Sequence, residues 1–174
     1  MTIEFEASVC SKIHDVWIIK PNMFEDERGI LWSAFQITNF KEFLGFEFSV
    51  THDKFATNKQ GVLRGIHGDF FSWKLVSVPS GEVFQVYVDN RKSSPTYRQH
   101  KSITLNCSNK LMVLLPPGVG NAFLALKDDT LYHYKLCYQG EYIDEDGQFT
   151  LKWNDPALGI EWPKKALILS KRDR

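Results

Sequence analysis

The sequence predicts an all-β fold, arranged as a sandwich or barrel, and two observations carry this prediction. Most of the chain divides into short segments rich in β-branched and aromatic residues. Turn-forming residues separate these segments at fairly regular spacing, as in Pro79-Ser80-Gly81 and Pro116-Pro117-Gly118. Many short strands with regular turns are typical of antiparallel sandwiches and barrels. We therefore expect residues 1–174 to form one such domain.

Alternation of apolar and polar residues supports the strand assignments. In Val83–Asp89, the side chains of Phe84, Val86 and Val88 share an apolar face, whereas the residues between them form a mixed face. A mixed face is expected where one side of a strand lines a polar cavity. The predicted strands are Val16–Lys20, Gly29–Phe35, Ser49–Ala56, Lys74–Pro79, Gly81–Asp89, His100–Leu105, Lys110–Leu115, Asn121–Ala125, Thr130–Leu136 and Leu167–Ser170.

Helical structure is predicted to be short. One helix is expected over Asn39–Leu44, because Thr38 can cap its beginning and Gly45 can end it. Asn154–Leu158 is predicted to be a helical turn or loop. The sequence contains no internal repeat, low-complexity segment or linker, which agrees with a single domain.

Charge and cysteine content narrow the classes of function. The chain has 21 basic and 21 acidic residues, which does not favour a nucleic-acid surface or a polybasic membrane patch. There is no apolar run long enough to span a bilayer, and the first residues carry acids where a secretory signal needs cations. Cys10, Cys107 and Cys137 are scattered, which fits reduced thiols. A soluble, cytoplasmic protein is the expectation.

Histidine spacing argues against a metal site. Barrels of this kind often bind a metal ion through several histidines and a carboxylate. The five histidines here form no His-x-His and no His-x-x-x-His pair; they are His14, His52, His67, His100 and His133. We therefore expect acid–base chemistry without a metal ion.

The run Gly61-Val62-Leu63-Arg64-Gly65-Ile66-His67, followed by Lys74, is the most informative segment. A neutral imidazole is suited to removing a carbon-bound proton near pH 7. A nearby lysine or arginine can bind phosphate or stabilise an enolate oxygen. The alternative is a strand end that carries one exposed histidine and a surface lysine, and the run alone slightly favours this alternative.

An ordered set of motifs extends over nearly the whole chain. Each motif is weak evidence alone, but together the motifs occur in the order and at the spacing of one known protein family. The motifs are Phe24–Gly29, Gly61–His67, Lys74–Val76, Gly81–Phe84, Val88–Thr96, Pro116–Gly118, Trp153–Pro156, Ile160–Pro163 and Ile168–Ser170. With these motifs the sequence resembles the dTDP-4-dehydrorhamnose 3,5-epimerases and their nucleotide-sugar relatives.

The resemblance implies a fold and a reaction. It implies a jelly-roll (cupin-like) barrel, a homodimer and no metal or organic cofactor. In this family the 4-keto group of a nucleotide-linked sugar acidifies the protons on C3 and C5. A base removes one proton to form an enolate, and an acid returns a proton to the opposite face. Inversion at C3, at C5 or at both carbons is compatible with the sequence.

Four catalytic roles follow from the resemblance. His67 matches the base, Asp173 the aspartate that pairs with it, Tyr134 the acid, and Lys74 the lysine near the keto oxygen. Such a carboxylate would fix the imidazole tautomer and stabilise the imidazolium. The structural alternatives are a strand tyrosine at Tyr134, a solvated strand-edge charge at Lys74, and a frayed chain end at Asp173.

Binding residues are implied in the same way. Arg28 and Arg64 match arginines that bind the diphosphate, for which a planar guanidinium is well suited. Phe24 matches an aromatic residue near the base, and in the family it and Arg28 cross over from the partner subunit. The alternative is that Glu25–Arg28 is a solvated loop of surface charges.

Departures from the family pattern bear on the substrate. Asn121 stands where most relatives have a histidine, and an amide cannot titrate. His52 and Lys54 replace a Gln-x-Asn pair, and Ser33 replaces a frequent glutamate. Because these last changes lie where the nucleotide is recognised, they favour a nucleotide other than dTDP. A GDP-linked 4-keto-heptose is the preferred alternative to a dTDP-linked 4-keto-6-deoxyhexose.

The expected function is therefore epimerisation of a nucleotide-activated 4-keto sugar for a capsule or lipopolysaccharide sugar. A nucleotide-sugar 3,4-ketoisomerase is less favoured, because such enzymes usually need two histidines in the pocket. A non-catalytic nucleotide-sugar-binding barrel is a third possibility, which the joint presence of His67, Lys74, Tyr134 and Asp173 argues against. A metal-dependent cupin oxygenase ranks last.

Overall fold

The computed structural model of the chain describes residues 2–163 and 167–174. These residues form thirteen strands, one α-helix and one short 3-10 helix. In chain order the elements are β1 (Phe5–Val9), β2 (Trp17–Pro21), β3 (Met23–Asp26), β4 (Gly29–Trp32), α1 (Ile37–Leu44), β5 (His52–Asn58), β6 (Leu63–Gly68), β7 (Trp73–Ser80), β8 (Glu82–Asp89), β9 (His100–Asn106), β10 (Met112–Leu115), β11 (Val119–Ala125), β12 (Thr130–Cys137), the 3-10 helix (Glu145–Gly147) and β13 (Phe149–Thr150). No helix within the described ranges has the length and apolar character needed to cross a membrane.

Two antiparallel sheets form the body of the fold. One has six strands in the order β1-β2-β10-β7-β12-β5, and the other has five in the order β13-β6-β11-β8-β9. Strands β3 and β4 form a separate hairpin. Two facing antiparallel sheets with these long-range pairings make a jelly-roll barrel. The all-β prediction is confirmed.

The main hydrophobic core lies between the inner faces of the two sheets. Val76 and Val113 come from the six-stranded sheet, and Tyr87 and Phe123 from the five-stranded sheet, and all four are buried in one cluster. Tyr132 of β12 stacks on Phe123 with ring centroids 4.0 Å apart. Each large apolar side chain buried here contributes about 1.5–3 kcal/mol to stability. The core therefore fixes the spacing of the sheets around the barrel interior.

Helix α1 covers the outer face of the six-stranded sheet. Its buried residue Phe40 packs in a cluster with Leu75 and Leu114, which point outward from β7 and β10. The helix begins after Gln36, whose side chain accepts a hydrogen bond from the backbone N–H of Asn39. The prediction of Thr38 as the cap is wrong, because the helix starts earlier than its sequence pattern indicates.

Helix α1 ends as predicted, at Gly45, which has a left-handed conformation with φ of 75°. Several predicted strands are present with shifted ends; for example, Gly29–Phe35 is a strand only as far as Trp32. The predicted strand Leu167–Ser170 is wrong, because this segment forms only an isolated bridge between Ile168 and Val62. Four strands were not predicted, namely β1, β3, β6 and β13.

Strand β6 escaped prediction because a bulge interrupts its alternation. Arg64 and His67 of β6 pair with Phe123 and Asn121 of β11. Between these two pairs β6 contains one residue more than β11, which is a β-bulge. Residues three apart in a regular strand point to opposite faces. The extra residue instead places both Arg64 and His67 on the side of the barrel interior.

Gly65 permits this irregular strand to lie close to β11. Its φ is +119°, and a Cβ atom at this position would lie 2.5 Å from the Cβ of Ala122. A non-glycine residue would therefore clash with the neighbouring strand and adopt an unfavourable backbone conformation. The close approach helps to hold His67 at a defined place in the barrel.

Candidate active site

A cavity of about 430 Å³ opens at one end of the barrel interior. This volume lies within the range of small-molecule binding sites. Side chains of β5, β6, β7, β11 and β12 line it, together with the segment before β13 and the C-terminal segment. The lining residues are Lys54, Arg64, His67, Lys74, Asn121, Tyr134, Leu136, Tyr142, Asp144, Glu145, Gln148, Ser170, Lys171, Arg172 and Asp173.

A histidine–aspartate pair lies at the wall of the cavity. Nε2 of His67 is 2.6 Å from Oδ1 of Asp173. The Asp173 side chain is 1% exposed, whereas the His67 side chain is 22% exposed toward the cavity. The carboxylate is therefore protected behind an accessible imidazole. This geometry suits an imidazole that takes up a proton and is stabilised as the cation.

The protonation state of Asp173 follows from its neighbours. Burial alone would raise the pKa of this carboxyl group, but hydrogen bonds and charge interaction outweigh burial and lower the pKa. The imidazole of His67 makes the largest opposing contribution, followed by the hydroxyl of Ser170, which donates to Oδ2 at 2.9 Å. Asp173 is therefore a carboxylate at neutral pH, ready to stabilise an imidazolium.

The C-terminal segment is anchored where chain ends commonly fray. The indole of Trp153 donates a hydrogen bond to the backbone carbonyl of Asp173 at 3.1 Å. Upstream, the backbone N–H of Leu63 donates to the carbonyl of Ile168 at 3.0 Å. The guanidinium of Arg172 also donates to the hydroxyl of Thr150. These contacts hold Asp173 against β6.

Tyr134 points into the same cavity from β12. Burial raises the pKa of its phenol well above the usual range, and the guanidinium of Arg64 acts in the opposite direction. The phenol therefore keeps its proton at neutral pH and can act as an acid. The ammonium of Lys54 lies 5.4 Å from the centre of the Tyr134 ring and donates to the hydroxyl of Tyr142 at 2.8 Å.

Lys74 enters the cavity from β7 as half of a buried ion pair. Its Nζ lies 3.0 Å from Oδ2 of Asp69, and both side chains are largely buried. Burial would raise the pKa of Asp69, but the Lys74 ammonium and the backbone N–H groups of Phe71 and Ser72 lower it. Asp69 thus fixes the position of the ammonium. The alternative, a solvated strand-edge charge at Lys74, is therefore excluded.

The charges around the cavity favour an anionic ligand. Five basic side chains line it against three acidic ones, and Asp173 is already paired with His67. Nε of Arg64 donates to Oδ1 of Asn58 at 2.9 Å, which orients the guanidinium and leaves its other N–H groups for a ligand. A cluster of guanidinium and ammonium groups is suited to a diphosphate.

Not every predicted binding residue reaches this cavity. Lys54, Arg64 and Asn121 line it, as predicted. His52 is adjacent instead: its ring packs edge-on against Tyr142, with ring centroids 4.8 Å apart. Ser33 follows β4 and is not among the lining residues.

Phe24 and Arg28 lie on the hairpin formed by β3 and β4 and do not line the cavity of their own chain. The Arg28 side chain is 85% exposed, and its ion pair is with Asp26 on the same hairpin. The own-chain site is therefore built without these two residues.

The structure adds residues that were not predicted. Tyr142, Gln148, Ser170 and Arg172 all line the cavity. Ser170 and Arg172 flank the predicted Asp173 closely enough in sequence to have been considered. Tyr142 lies in an irregular segment with no periodic pattern, so no local signal identifies it. Within residues 2–163 and 167–174, no group of three or more histidine, cysteine or acidic side chains is arranged to hold a metal ion.

Comparison with known proteins places the chain in a family. The family model described as dTDP-4-dehydrorhamnose 3,5-epimerase matches residues 10–174. The chain is also similar to the dTDP-4-dehydrorhamnose 3,5-epimerase of Salmonella typhimurium, with 36% identity over 165 residues. That match covers 92% of this chain and 88% of the Salmonella protein.

Solved structures of two relatives share the fold. One is the dTDP-6-deoxy-D-glucose-3,5-epimerase RmlC of Legionella pneumophila in complex with dTDP-4-keto-L-rhamnose. It matches with a TM-score of 0.90 and 34% identity, covering 98% of this chain and 90% of that chain. The other is ChmJ, a 3'-monoepimerase from Streptomyces bikiniensis in complex with dTDP-quinovose. It matches with a TM-score of 0.86 and 30% identity, covering 92% and 82%.

Proposed function

Because the chain belongs to the dTDP-4-dehydrorhamnose 3,5-epimerase family, we propose that it inverts C3, C5 or both carbons of a nucleotide-diphosphate-linked 4-keto sugar. The chain is an isomerase, and its product would serve the synthesis of a surface polysaccharide sugar. The observation that carries the proposal is the His67–Asp173 pair, whose imidazole opens into a cavity shared with Tyr134 and Lys74. All of residues 1–174 are proposed to form this one epimerase domain.

His67 is the proposed base. A ketone at C4 acidifies the hydrogens on the neighbouring carbons, because the electron pair left by proton removal delocalises onto the keto oxygen. The C–H bond breaks, the proton moves to the imidazole, and an enolate forms. Asp173 stabilises the resulting imidazolium across the 2.6 Å contact. General-base catalysis of this kind contributes about 10²–10⁴-fold to the rate.

Lys74 is the proposed stabiliser of the enolate oxygen. Its ammonium is held by Asp69 and needs little reorganisation when negative charge develops on the substrate. A preorganised donor of this kind stabilises the transition state by about 3 kcal/mol. The ion pair with Asp69 also holds the ammonium in one place inside a largely buried environment.

Tyr134 is the proposed acid that completes inversion. Its buried phenol remains protonated and faces the cavity from β12, in the opposite sheet to His67 on β6. A proton delivered from this sheet would reach the face of the enolate opposite His67. After inversion, the imidazolium of His67 gives its proton to water and the phenolate of Tyr134 takes one from water, which restores both groups. Inversion, as opposed to simple exchange, requires this second group.

Arg64 and the other basic residues of the cavity are proposed to bind the diphosphate. The two solved relatives are complexes with dTDP-linked sugars, so a dTDP-linked 4-keto-6-deoxy sugar is the first proposed substrate. A GDP-linked 4-keto-heptose is the second candidate. It is favoured by Lys54 inside the cavity and His52 against Tyr142, since these residues replace the Gln-x-Asn pair typical of the family.

A homodimer is part of the proposal, with the β3–β4 hairpin reaching the site of the partner subunit. Phe24 and Arg28 lie on this hairpin, away from the cavity of their own chain. The same hairpin exposes Ile30 and Leu31, at 46% and 60% of their surface. Exposed apolar side chains of this kind favour burial against a partner. Light scattering should give about twice the chain mass of 20.1 kDa.

Proton NMR in D2O tests the proposed reaction. The purified chain is mixed with a dTDP-linked 4-keto-6-deoxyhexose or a GDP-linked 4-keto-heptose, and the C3 and C5 proton signals are followed. We expect enzyme-dependent loss of at least one signal with one nucleotide sugar, and no loss with His67→Asn. Appearance of the keto group at C3 in place of C4 would instead indicate a ketoisomerase. Binding without exchange of either proton would indicate a binding barrel, and both results would refute the proposal.

A further inference from the structure

A network of neutral polar side chains lies behind the cavity wall, beside His67. Gln85 of β8 and Tyr132 of β12 are fully buried, and Asn121 of β11 is 7% exposed. Nε2 of Gln85 donates to Oδ1 of Asn121 at 2.6 Å, and the hydroxyl of Tyr132 donates to Oε1 of Gln85 at 2.6 Å. The mixed face predicted for β8 therefore supports the cavity wall, because Gln85 points into the barrel.

The orientation of the Asn121 amide is fixed by a chain of hydrogen bonds. The backbone carbonyl of Val86 can only accept, so the group of Gln85 that lies 3.1 Å from it must be the amide nitrogen. The same nitrogen faces Asn121, so the Asn121 atom that meets it must be oxygen. The single hydroxyl proton of Tyr132 is donated to Gln85, so the hydroxyl, 3.3 Å from that oxygen, adds nothing to the assignment and the contact with Gln85 fixes it.

Tyr132 remains a donor at all relevant pH values. Burial raises the pKa of its phenol well above the usual range. No member of the network carries a charge at neutral pH. The network can therefore hold an amide in one orientation without changing its own protonation state when His67 gains or loses a proton.

Fixing the oxygen of Asn121 leaves its Nδ2 group directed to the cavity. No protein acceptor for this group is found among the described residues. Over the same residues, the hydroxyl of Ser72 is the single buried side-chain polar atom without a hydrogen-bond partner. The Nδ2 group of Asn121 is consequently in contact with the cavity, which Asn121 lines. Asn121 is also the register partner of His67 on the adjacent strand.

We propose that Nδ2 of Asn121 donates a hydrogen bond to a sugar oxygen next to the carbon that His67 deprotonates, and that Gln85 is a positioning residue that holds this donor in place. The inference rests on the proposed epimerase function and extends it to a residue outside the base and acid. A fixed neutral donor stabilises a sugar oxygen that gains negative charge, and the donor itself keeps its proton while it does so. The buried relay keeps the amide from rotating to present its oxygen.

Substitutions at both positions separate donation from packing. Asn121→Leu removes the donor without adding charge, and Asn121→Asp removes the donor while keeping shape and the acceptor for Gln85. Gln85→Met removes the relay without touching the cavity. Asn109→Asp, in the turn between β9 and β10, is the matched control outside the site. For each variant we would measure kcat and KM on the sugar that the wild type epimerises, together with the thermal unfolding midpoint.

Both Asn121 variants should lose kcat by about tenfold or more, the effect of one hydrogen bond in the transition state. Gln85→Met should lose about fivefold in kcat with KM little changed, because a residue that never touches substrate alters the placement of the donor and not ground-state binding. Asn109→Asp should match the wild type. Wild-type kcat in Asn121→Leu would overturn the role of Asn121, and wild-type kcat in a folded Gln85→Met would overturn the relay. Absence of exchange in the wild type would instead refute the proposed function itself.

Discussion

The His67–Asp173 pair and the His133–Asp53 pair differ in which member is accessible to solvent. In the first pair the Asp173 side chain is 1% exposed and the His67 side chain 22% exposed. In the second pair the His133 side chain is 9% exposed and the Asp53 side chain 44% exposed. The first pair thus presents an imidazole backed by a protected carboxylate. The second presents a solvated carboxylate in front of a covered imidazole.

The surroundings of the second pair suit structure better than chemistry. His133 lies on the outer face of β12, where the ring of Phe55 stacks on it with centroids 4.3 Å apart. Asp53 is shared with Lys135, whose Nζ is 2.9 Å away. Ser77 is 3.4 Å from the other ring nitrogen, which completes a serine–histidine–aspartate sequence of contacts. The adjacent cavity, however, is only about 50 Å³, too small for a substrate.

The comparison shows that the role of a histidine–aspartate pair depends on whether it lies on the inner or the outer face of its sheet. Tyr132 and Tyr134 flank His133 in sequence yet point into the barrel, because successive strand residues alternate. The same residue types therefore form a candidate catalytic pair on the inside and a surface contact on the outside. Contact distance alone would not distinguish the two.

The largest expected difference is between His67→Asn and His133→Asn. An amide cannot accept the substrate proton, so His67→Asn should lower C3 and C5 exchange by about 10⁴-fold, to the limit of detection. His133→Asn should stay within about twofold of the wild type, because its imidazole faces away from the cavity. Exchange rates measured by NMR in D2O compare the two. Equal losses would show that the accessibility argument is wrong.

The aspartates should differ in the same direction but by less. Asp173→Asn keeps the shape of the side chain and removes the charge that stabilises the imidazolium, so we expect a loss of about 10²–10³-fold in kcat. Asp53→Asn should leave kcat within about twofold of the wild type. Steady-state kinetics on the same sugar, with circular dichroism to confirm folding, provides the measurement. An active Asp173→Asn would mean that His67 acts without its carboxylate.

Tyr134→Phe should separate inversion from proton removal. Because Tyr134 is the proposed acid, its loss should slow formation of the inverted sugar by about a hundredfold. Exchange of the proton removed by His67 should fall much less. Product analysis and deuterium incorporation at C3 and C5 would be measured in parallel. Equal loss of exchange at both carbons would assign Tyr134 to substrate positioning.

Prediction from sequence succeeded where a local residue pattern determines the structure. The apolar face of Val83–Asp89 and the end of α1 at Gly45 follow from alternation and glycine conformation. Strand β6 was missed because its bulge breaks the alternation on which strand prediction depends. The cavity residue Tyr142 was missed because its position depends on tertiary contacts with Lys54 and His52.

The pairing of His67 with Asp173 was predicted from family resemblance and not from residue spacing. These residues are 106 positions apart, and the structure brings them together through the bridge between Val62 and Ile168. No local pattern encodes such a contact, since it depends on how the C-terminal segment lies along β6. The polar relay at Gln85 is hidden for the same reason, because its partners come from two other strands.

The smallest expected difference concerns stability in acid. The pKa of Asp173 is lowered by its hydrogen bonds and by the charge of His67, which outweigh burial. When the pKa of a carboxyl group is lower in the folded state, its charged form stabilises the protein at pH values above the unfolded-state pKa of about 3.9. This stabilisation is lost as the pH falls through the folded-state pKa. Asp173→Asn should therefore cost about 1–2 kcal/mol of unfolding free energy at pH 7, and this cost should shrink below pH 4.

Asp53 provides the contrast for this measurement. Its pKa is also lowered, since contacts with Lys135 and His133 outweigh burial, but water screens a carboxylate that is 44% exposed. Asp53→Asn should cost about 0.5 kcal/mol or less at any pH. Urea unfolding of both variants and the wild type at pH 7, 4, 3 and 2 would test this. A cost for Asp173→Asn that does not change with pH would show that packing, and not the carboxylate charge, stabilises the inner pair.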